Sequence, residues 1–511
     1  MVAAVAALAY ARVLGFGFVY DDYWTIVTNT HLEGSLLELV GLAWSGKSLV
    51  VGVPDATRPL MGWSSWLDRR LFGLTPWAHH LHSLLLYAAV VVSVYLLVLA
   101  LSRRRFTALC AALLFAVSPM HAEVVASINY REDLLAALGT FAVLALCFWP
   151  RLQPRLGFAL VAAALWAMAL LGKESALALP ILLLALRLAR PATRVTWTGP
   201  YPLALALCAV GVAWLNWRFG MQALGDDIPR ATYATVDERL YRTARFLVSG
   251  GVQALAPLRG RTEYGPLPAA SAAWLAGLLA AGVLVAWLAR NKQSRLAAAA
   301  LAFALVAPLA TSPLFAPVNE RADRYWFVAS LAGALLGAVL LTLLARRALR
   351  ASLAALVLLV AAGFWGSWSA SGDWASESSL WASAVRSAPG SARAWMSLSR
   401  VHRLAGQPEL ARRAAERALE LRPGYVPARI TQSFNALWVG DTARARAALA
   451  GLKPARSESR AFRVATRCAE QPPDEARACI QRTVPQGLVL GDTADLARFT
   501  ESILSALPTR G

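Results

Sequence analysis

Long apolar blocks separated by short polar stretches make up residues 1–370, whereas residues 371–511 have the mixed pattern of a water-soluble chain. A membrane helix needs about 20 apolar residues, and the blocks approach that length. The pattern predicts eleven membrane spans, at 2–19, 80–101, 106–119, 134–149, 157–171, 175–189, 200–217, 268–289, 296–311, 326–345 and 351–369. Residues 235–257 are half apolar but charged, so we predict an interfacial or re-entrant helix there. The expected fold is all-α, with a polytopic helical membrane domain (1–370) of about eleven transmembrane helices and a small C-terminal domain (371–511).

The charges of the chain are distributed unevenly between its loops. Fourteen Lys and Arg residues, and no Asp or Glu, lie in or beside the loops at 102–105, 150–156, 190–199, 290–295 and 346–350. Cationic loops favour the cytoplasmic side, so eleven spans place the C-terminal domain outside the cytoplasm. This topology accounts for the formal net charge of +20 without a nucleic-acid partner.

The opposite loops carry acids, arginines and histidines at the helix ends. They contain Tyr20-Asp21-Asp22-Tyr23-Trp24, Ser118–Glu123, Asn129–Asp133, Lys173-Glu174 and Asn319–Tyr325. Adjacent acids at a membrane helix end are costly unless they serve a purpose, although a water-exposed helix terminus is an equal alternative. A ring of such groups at one interface can hold an anionic headgroup and move a proton. Phosphate-binding glycine loops, dinucleotide fingerprints and zinc-ligand spacings are absent from the sequence, and His79, His80 and His82 fit an interfacial position better than a metal site.

The C-terminal domain contains a repeat of 34 residues. Pro389-Gly390 recurs as Pro423-Gly424, and Gly406 recurs as Gly440. The period and the helix–turn–helix punctuation are typical of tetratricopeptide repeats, with a generic array of helical hairpins as the alternative. We expect helices at 391–405 and 408–421, flanking helical caps at 374–388 and 456–507, and a seam formed by Trp395, Leu398, Ala411, Ala414 and Ala418.

Two of the five cysteines, Cys468 and Cys479, flank the break Gln471-Pro472-Pro473 in this domain. They could face each other across a helical hairpin. An extracytoplasmic location would allow a disulfide bridge, and the alternative is a pair of free buried thiols.

Several short motifs, taken in order along the chain, resemble a known family. They are Phe18-Val19-Tyr20-Asp21-Asp22, Thr57-Arg58-Pro59-Leu60, Gly73–His80, Ser118–Val125, Arg131-Glu132-Asp133-Leu134-Leu135, Gly172-Lys173-Glu174-Ser175, Ala322-Asp323-Arg324-Tyr325 and Trp381. Each is weak alone, but together and in this order the chain resembles GT-C fold glycosyltransferases. Among these it is most similar to TMTC-type protein O-mannosyltransferase-like membrane proteins, which carry tetratricopeptide repeats.

The resemblance implies a glycosyltransferase that moves a sugar, mannose in most of the family, from a polyprenyl-phosphate donor to an acceptor hydroxyl. The acceptor is a polypeptide Ser or Thr or a glycan, on the extracytoplasmic face of the lipid bilayer. For a bacterial member, this is the inner membrane, with the repeats on the periplasmic side. The acid pair Asp21 and Asp22 matches the position of the family's catalytic carboxylate.

A lipid-phosphate donor needs cations, and attack by a hydroxyl needs a carboxylate base. We expect Asp21 or Asp22 to be the base and donor or substrate binding by Arg58, His80, His121, Glu123, Arg131, Asp133, Lys173, Glu174, Asp323 and Arg324. No cofactor or metal site is predicted, and a divalent cation stays open. The rival interpretations are a membrane-anchored repeat scaffold and a lipid or glycan transporter. A transporter should show charges in mid-helix or repeated halves, which the sequence lacks.

Overall fold

The structure is a computed structural model of the whole chain. It describes residues 1–45, 56–149, 156–188, 235–256, 259–265, 272–291, 294–315, 321–453, 456–483 and 493–506, with isolated positions at 47, 53 and within 207–217. Helices dominate these residues, and none of them forms a strand, which confirms the predicted all-α class.

Fourteen α-helices are described in the apolar part of the chain. They are α1 (Val2–Ala9), α2 (Leu36–Trp44), α3 (Pro59–Phe72), α4 (Pro76–Ser102), α5 (Arg105–Ala116), α6 (Ala122–Ala126), α7 (Arg131–Phe148), α8 (Leu156–Gly172), α9 (Leu179–Arg187), α10 (Val236–Leu255), α11 (Ala272–Arg290), α12 (Arg295–Val306), α13 (Leu331–Ala345) and α14 (Leu349–Gly372).

Three described helices are long and apolar enough to cross a membrane: α4, α14 and residues Ala273–Arg290 of α11. The pair α5 and Pro119–Ala126 meets at a bend of 52° and gives a fourth span if it is counted as one. Shorter apolar helices lie at Gly157–Gly172, Arg295–Thr311 and Leu331–Ala345. The count of eleven spans stays a prediction, and the predicted span at 200–217 lies largely outside the described residues.

The first predicted span differs from a single helix. Its α-helix ends at Ala9, a 3-10 turn follows over Ala11–Gly15, and the chain is extended before Tyr20. Ala6, Ala9, Tyr10 and Val13 are fully buried, and α1 packs on α4 and α5. The segment is therefore an internal element of the helical bundle. It leads to Asp21, which lies at the polar end of that bundle. At 235–257, α10 forms one helix of 20 residues packed on α11 and α13.

The predicted site residues lie in short turns between the apolar helices. A π-helical turn, Tyr23–Val27, follows the acid pair, and 3-10 turns occur at Ile128–Tyr130, Glu174–Ala178 and Asp323–Trp326. Each turn joins segments that pack in the same bundle. Polar residues far apart in sequence are thereby brought to one end of the bundle.

The described residues of the C-terminal part form eight further helices. They are α15 (Glu377–Ser387), α16 (Ala392–Leu404), α17 (Pro408–Leu421), α18 (Val426–Trp438), α19 (Thr442–Leu449), α20 (Arg456–Ala469), α21 (Pro473–Gln481) and α22 (Thr493–Ala506). Gly406 and Gly440 have φ of 72° and 83° in the turns that end α16 and α18. This left-handed conformation favours glycine, which explains the repeated glycine of the 34-residue period. The predicted seam residues are all fully buried, while the assignment to tetratricopeptide repeats stays a prediction.

One hydrophobic core runs from the apolar bundle into the first helices of the C-terminal part. Trp374, Trp381, Trp395 and Leu398 belong to the same buried cluster as α4, α5 and α7. A second core lies among α18, α19, α20 and α21. A Cys468–Cys479 disulfide joins α20 to α21, as the sequence allowed. The packing is therefore continuous across residue 371, the predicted domain boundary.

Four arginines of α16 and α17, Arg393, Arg400, Arg403 and Arg412, could suggest a basic surface on the array, but they do not form one. Arg393 pairs with Glu263, Arg400 with Glu377, and Arg412 with Glu409 and Glu416. Arg403 is buried, with its guanidinium over the rings of Phe434 and Trp438 at 5.3 and 5.7 Å. These arginines contact residues of the protein itself and do not form a shared ligand-binding surface.

Candidate active site

The acid pair lies where the extended segment after α1 enters the π-helical turn, and its two carboxylates face different surroundings. Asp22 is fully buried, and its oxygens accept hydrogen bonds from the backbone N–H groups of Asn129 (2.7 Å) and Val19 (3.1 Å). The Ser127 hydroxyl donates a longer bond of 3.4 Å. Burial raises the pKa of Asp22 to about 7, although the backbone hydrogen bonds act to lower it. Asp22 thus holds the turn at 127–129 against the segment 19–22.

Asp21 is only half-buried, and the hydroxyl of Tyr130 donates to its carboxylate at 3.3 Å. Burial raises the pKa of Asp21 to about 6, while the nearby charges of Arg324 and Arg393 lower it. A carboxylate with a pKa near 6 is ionised at neutral pH and still accepts a proton readily. Asp21 is therefore better placed than Asp22 to exchange a proton with a bound molecule.

Arg324 lies at the centre of the polar end of the bundle. Its guanidinium pairs with Glu123, its backbone N–H donates to the other oxygen of Glu123 at 2.9 Å, and it stacks over the Tyr130 ring at 4.3 Å. It is also within electrostatic range of Asp21, Asp133 and Lys173. It thus links the acid pair to Asp133 of α7 and to Lys173, which follows α8.

Two further cations form a connected network with three carboxylates. Arg58 contacts Glu132 at 2.8 Å and Glu174 at 2.7 Å, and Lys173 contacts Glu132 at 2.9 Å and Asp133 at 2.5 Å. Lys173 and Glu132 are buried, but the side chains of Arg58 and Glu174 keep 23% and 26% of their exposure. Arg58 is therefore the cation of this network that a ligand reaches first.

Asp323, next to Arg324, is buried in a separate set of hydrogen bonds. It accepts from the Tyr264 hydroxyl, from Gln253 Nε2 at 3.0 Å and from the backbone N–H of Arg261 at 2.7 Å. Burial raises its pKa to about 8. Asp323 anchors the loop 259–265 beside Arg324 rather than opening toward a ligand.

Three of the expected binding residues have structural surroundings instead. Arg131 is fully buried, 2.7 Å from Asp68, and donates to Ser64 and Ser83. His80 is also fully buried, with Nε2 3.4 Å from the Gly17 carbonyl.

His121, the third of these residues, lies between the Tyr87 hydroxyl (2.9 Å) and the Ser330 hydroxyl (2.7 Å). The rings of Phe115 and Phe327 pack against it. These contacts occupy the three side chains with partners inside the protein, and their part in donor binding stays a prediction.

Within the described part of the chain, no three His, Cys, Asp or Glu side chains converge in a way that could hold a metal ion. His82 Nδ1 lies 2.7 Å from Asp68, which also contacts Arg131 and His79. His79 and His82 thus serve the contact of α4 with α3, whereas His80 contacts the segment before the acid pair.

Some residues in and around this polar end of the bundle carried little sequence signal. Tyr130 and Glu132 lie inside the loop Asn129–Asp133, but neither was among the expected binding residues. Asp68 stands beside Arg69 and Arg70, a pattern typical of a solvated face. Tyr20 contacts Arg393 and Glu377, more than 350 residues away, and no local pattern could indicate such a pairing.

Comparison with known proteins finds a family whose match includes part of this site. Residues 54–217 match the family of dolichyl-phosphate-mannose-protein mannosyltransferases. The chain is 35% identical over 138 residues to the protein O-mannosyl-transferase Tmtc1 of Drosophila melanogaster, which covers 26% of this chain and 16% of the relative. It is 36% identical over 144 residues to TMTC1 of Mus musculus (27% and 15%) and 34% identical over 148 residues to TMTC2 of Mus musculus (28% and 18%).

No solved structure matches the chain. The aligned stretches span less than a fifth of the length of these relatives. The family match includes Arg58, the α7 charges and Lys173, the residues that the structure brings together with Arg324. The resemblance is therefore confirmed: this chain is similar to the TMTC-type protein O-mannosyl-transferases and their GT-C fold family.

Proposed function

We propose that the chain is a membrane glycosyltransferase that transfers mannose from a polyprenyl-phosphate donor to a hydroxyl of an acceptor polypeptide. The observation that carries this proposal is the convergence of Asp21 with Arg324, Lys173 and Arg58 at one end of an apolar helical bundle. A base and a set of cations are the two groups that transfer from a lipid phosphate requires. The choice of mannose and of a protein acceptor rests on the names of the similar proteins.

The reaction that fits this cluster is a single displacement at the sugar. The acceptor oxygen bonds to the anomeric carbon while the bond between that carbon and the phosphate oxygen breaks. The hydroxyl proton passes to the carboxylate of Asp21, and the bonding electron pair remains on the polyprenyl phosphate. Because a phosphate is a fair leaving group, the reaction needs a general base but no strong general acid.

Donor binding exchanges ion pairs that already exist. Arg58 holds Glu132 and Glu174 with its guanidinium, and Glu174 is partly exposed. A phosphate matches the same planar fork of donors, so it can replace Glu174 on Arg58. Arg324, with 11% of its side chain exposed, is the second cation that contacts the phosphate. Lys173 is buried and contributes to the site through its charge.

Two observations support an extracytoplasmic site. The cationic loops of the apolar part all fall on the opposite side in the eleven-span topology. The Cys468–Cys479 disulfide lies in the C-terminal part, whose Glu377 and Arg393 contact Tyr20 beside Asp21, and disulfides persist in oxidising compartments. For a bacterial inner membrane this side is the periplasm.

The test is incubation of the purified chain with polyprenyl-phosphate [³H]mannose in detergent or liposomes, with and without a Ser/Thr-rich acceptor peptide. An enzyme releases free polyprenyl phosphate and moves label to the peptide. A transporter moves intact donor across the liposome bilayer, and a scaffold leaves the donor unchanged. Either of these two results would overturn the proposal.

A further inference from the structure

The contact between the first C-terminal helices and the acid pair runs through Tyr20. Tyr20 has φ of 52°, and it is one of only two non-glycine residues with positive φ in the described part of the chain. The other, Arg103, ends a helix, where this conformation is common. Tyr20 has no such position, so tertiary contacts must hold it in a conformation that costs about 1–2 kcal/mol.

Those contacts come from helices α15 and α16. Glu377 Oε1 accepts a hydrogen bond from the backbone N–H of Tyr20 at 2.7 Å. Arg393 donates to the Tyr20 hydroxyl at 3.1 Å, and the Trp381 ring meets the Tyr20 ring edge-on at 5.3 Å. The backbone N–H, the hydroxyl and the ring of Tyr20 are each contacted by a residue more than 350 positions away.

Both holding residues are themselves oriented. Glu377 is fully buried, and its other oxygen accepts from Trp381 Nε1 at 2.9 Å and pairs with Arg400. Arg393 pairs with Glu263 of the loop 259–265, and that loop also holds Asp323 beside Arg324. The contacts therefore form a fixed bracket around Tyr20 rather than a pair of mobile surface charges.

Tyr20 directly precedes Asp21 in the chain. Fixing the backbone of Tyr20 therefore fixes the direction in which the Asp21 side chain projects from the backbone. We propose that Glu377 and Arg393 are positioning residues for Asp21, acting through Tyr20, so that the C-terminal domain completes the active site. This inference rests on the proposed function, because it assumes Asp21 as the base. It assigns the first C-terminal helices a role in the chemical step, in addition to any role of the later repeats in holding an acceptor.

The charge of Arg393 gives the proposal a measurable signature. The charged or titratable groups that act on Asp21 are Tyr130 and Arg324 from the turns of the bundle, and Arg393 and Arg400 from α16. Asp22 and Tyr20 adjoin it in the chain. Arg393 and Arg324 both lower the pKa of Asp21. Removing one of the cations raises that pKa, so the carboxylate protonates at a higher pH.

The experiment compares purified full-length Arg393→Gln, Arg393→Lys and Glu377→Gln with the native chain. For Arg393→Gln we expect the acidic limb of the kcat/KM profile to move upward by about 1 pH unit, and Arg393→Lys should return it toward the native position. Glu377→Gln should lower kcat about tenfold or more with the KM for polyprenyl-phosphate mannose unchanged. Arg417→Gln, which removes an exposed pair with Glu420 on α17, is the matched control without effect on either quantity.

A second readout does not depend on turnover. Carbodiimide modifies protonated carboxyl groups, and fragment mass spectrometry distinguishes Asp21 from Asp22, so the pH dependence of labelling reports the titration of Asp21. In Arg393→Gln this midpoint should rise with the activity limb, while the thermal midpoint in detergent stays near the native value.

Three outcomes separate the hypotheses. Equal loss of rate at all pH values, with an unmoved labelling midpoint, would show that Arg393 is merely structural and would overturn the inference. Native behaviour of both Arg393→Gln and Glu377→Gln would overturn it as well. A native chain that never transfers mannose defeats the proposed function instead, and the labelling titration then still decides whether the bracket acts on Asp21.

Discussion

Replacing each member of the acid pair by Asn is expected to damage the protein in two different ways. Asn has nearly the shape of Asp but lacks its charge and basicity. In Asp21→Asn the half-buried group that receives the acceptor proton is lost, with only the 3.3 Å bond from Tyr130 affected in the fold. In Asp22→Asn two backbone N–H groups must share an amide that has one acceptor oxygen and one donor nitrogen.

The expected magnitudes follow from these surroundings. Loss of a general base costs about 10²–10⁴ in rate, so Asp21→Asn should lower kcat by that factor with a nearly native thermal midpoint. In Asp22→Asn one of the buried N–H groups, of Asn129 or Val19, loses its acceptor, which costs about 1–3 kcal/mol of stability. Its residual kcat per folded molecule should stay within about tenfold of native, a loss that a small displacement of the reacting groups can cause.

The pH profile makes the distinction sharper. Asp21 acts as a carboxylate, and its pKa is raised to about 6 by burial. The rate should therefore fall about tenfold per pH unit below pH 6. Asp22→Asn should retain this limb, and Asp21→Asn should lose it.

The assay is initial-rate transfer from polyprenyl-phosphate [³H]mannose between pH 5 and 8, paired with fluorescence-detected unfolding of each variant at pH 8. The assignment fails if Asp21→Asn keeps native turnover. It is reversed if Asp22→Asn unfolds at the native temperature but loses both the rate and the acidic limb. Asp21→Glu serves as the matched control, since it retains a carboxylate and should recover part of the rate.

Three further outcomes are expected. Lys173→Met leaves two buried carboxylates without their shared cation, which should destabilise the fold by about 3–5 kcal/mol; an unchanged unfolding midpoint would show that the network is not buried in solution. His121→Phe removes the hydrogen bonds to Tyr87 and Ser330 inside an aromatic cluster. The unfolding midpoint should therefore fall while the KM for the donor stays native. A tenfold rise in KM would instead show that His121 takes part in donor binding. The cysteine of Arg347→Cys should react with an impermeant maleimide only after the membrane is opened. Labelling of this variant in intact cells would rule out the eleven-span topology.

The sequence predicted those parts of the fold that depend on local pattern. Apolar blocks indicated most of the described helices of the bundle to within a few residues, and the repeated glycine indicated the turns at Gly406 and Gly440. The charged motifs at the helix ends indicated Asp21, Arg324 and Lys173 because they share one side of the membrane in the predicted eleven-span topology.

The remaining parts depend on contacts between distant segments. Hydropathy alone treats 2–19 as one span, since it does not register that Tyr10 and Val13 pack inside the bundle where the helix ends. Arg131 looked like a phosphate ligand because its partner, Asp68, lies on another helix, 2.7 Å away. The bracket around Tyr20 joins residues more than 350 positions apart, and side chains such as Arg393 are indistinguishable from solvated arginines in one dimension.

The division of the hydrophobic interior bears on how proteins of this kind can be recombined. Composition changes near residue 371, but the first core continues through Trp381 and Trp395, and a separate core begins within α18. A chimera joined at 371 would cut through buried tryptophans and separate Tyr20 from Glu377. A junction in the turn at Gly440 would keep Trp381, Trp395 and the contacts of Tyr20 together, but it would also exchange α22, whose Leu496 belongs to the first core. Diversification is therefore expected to be tolerated in α19, α20 and α21 and to be rare in α22 and in the helices before that turn.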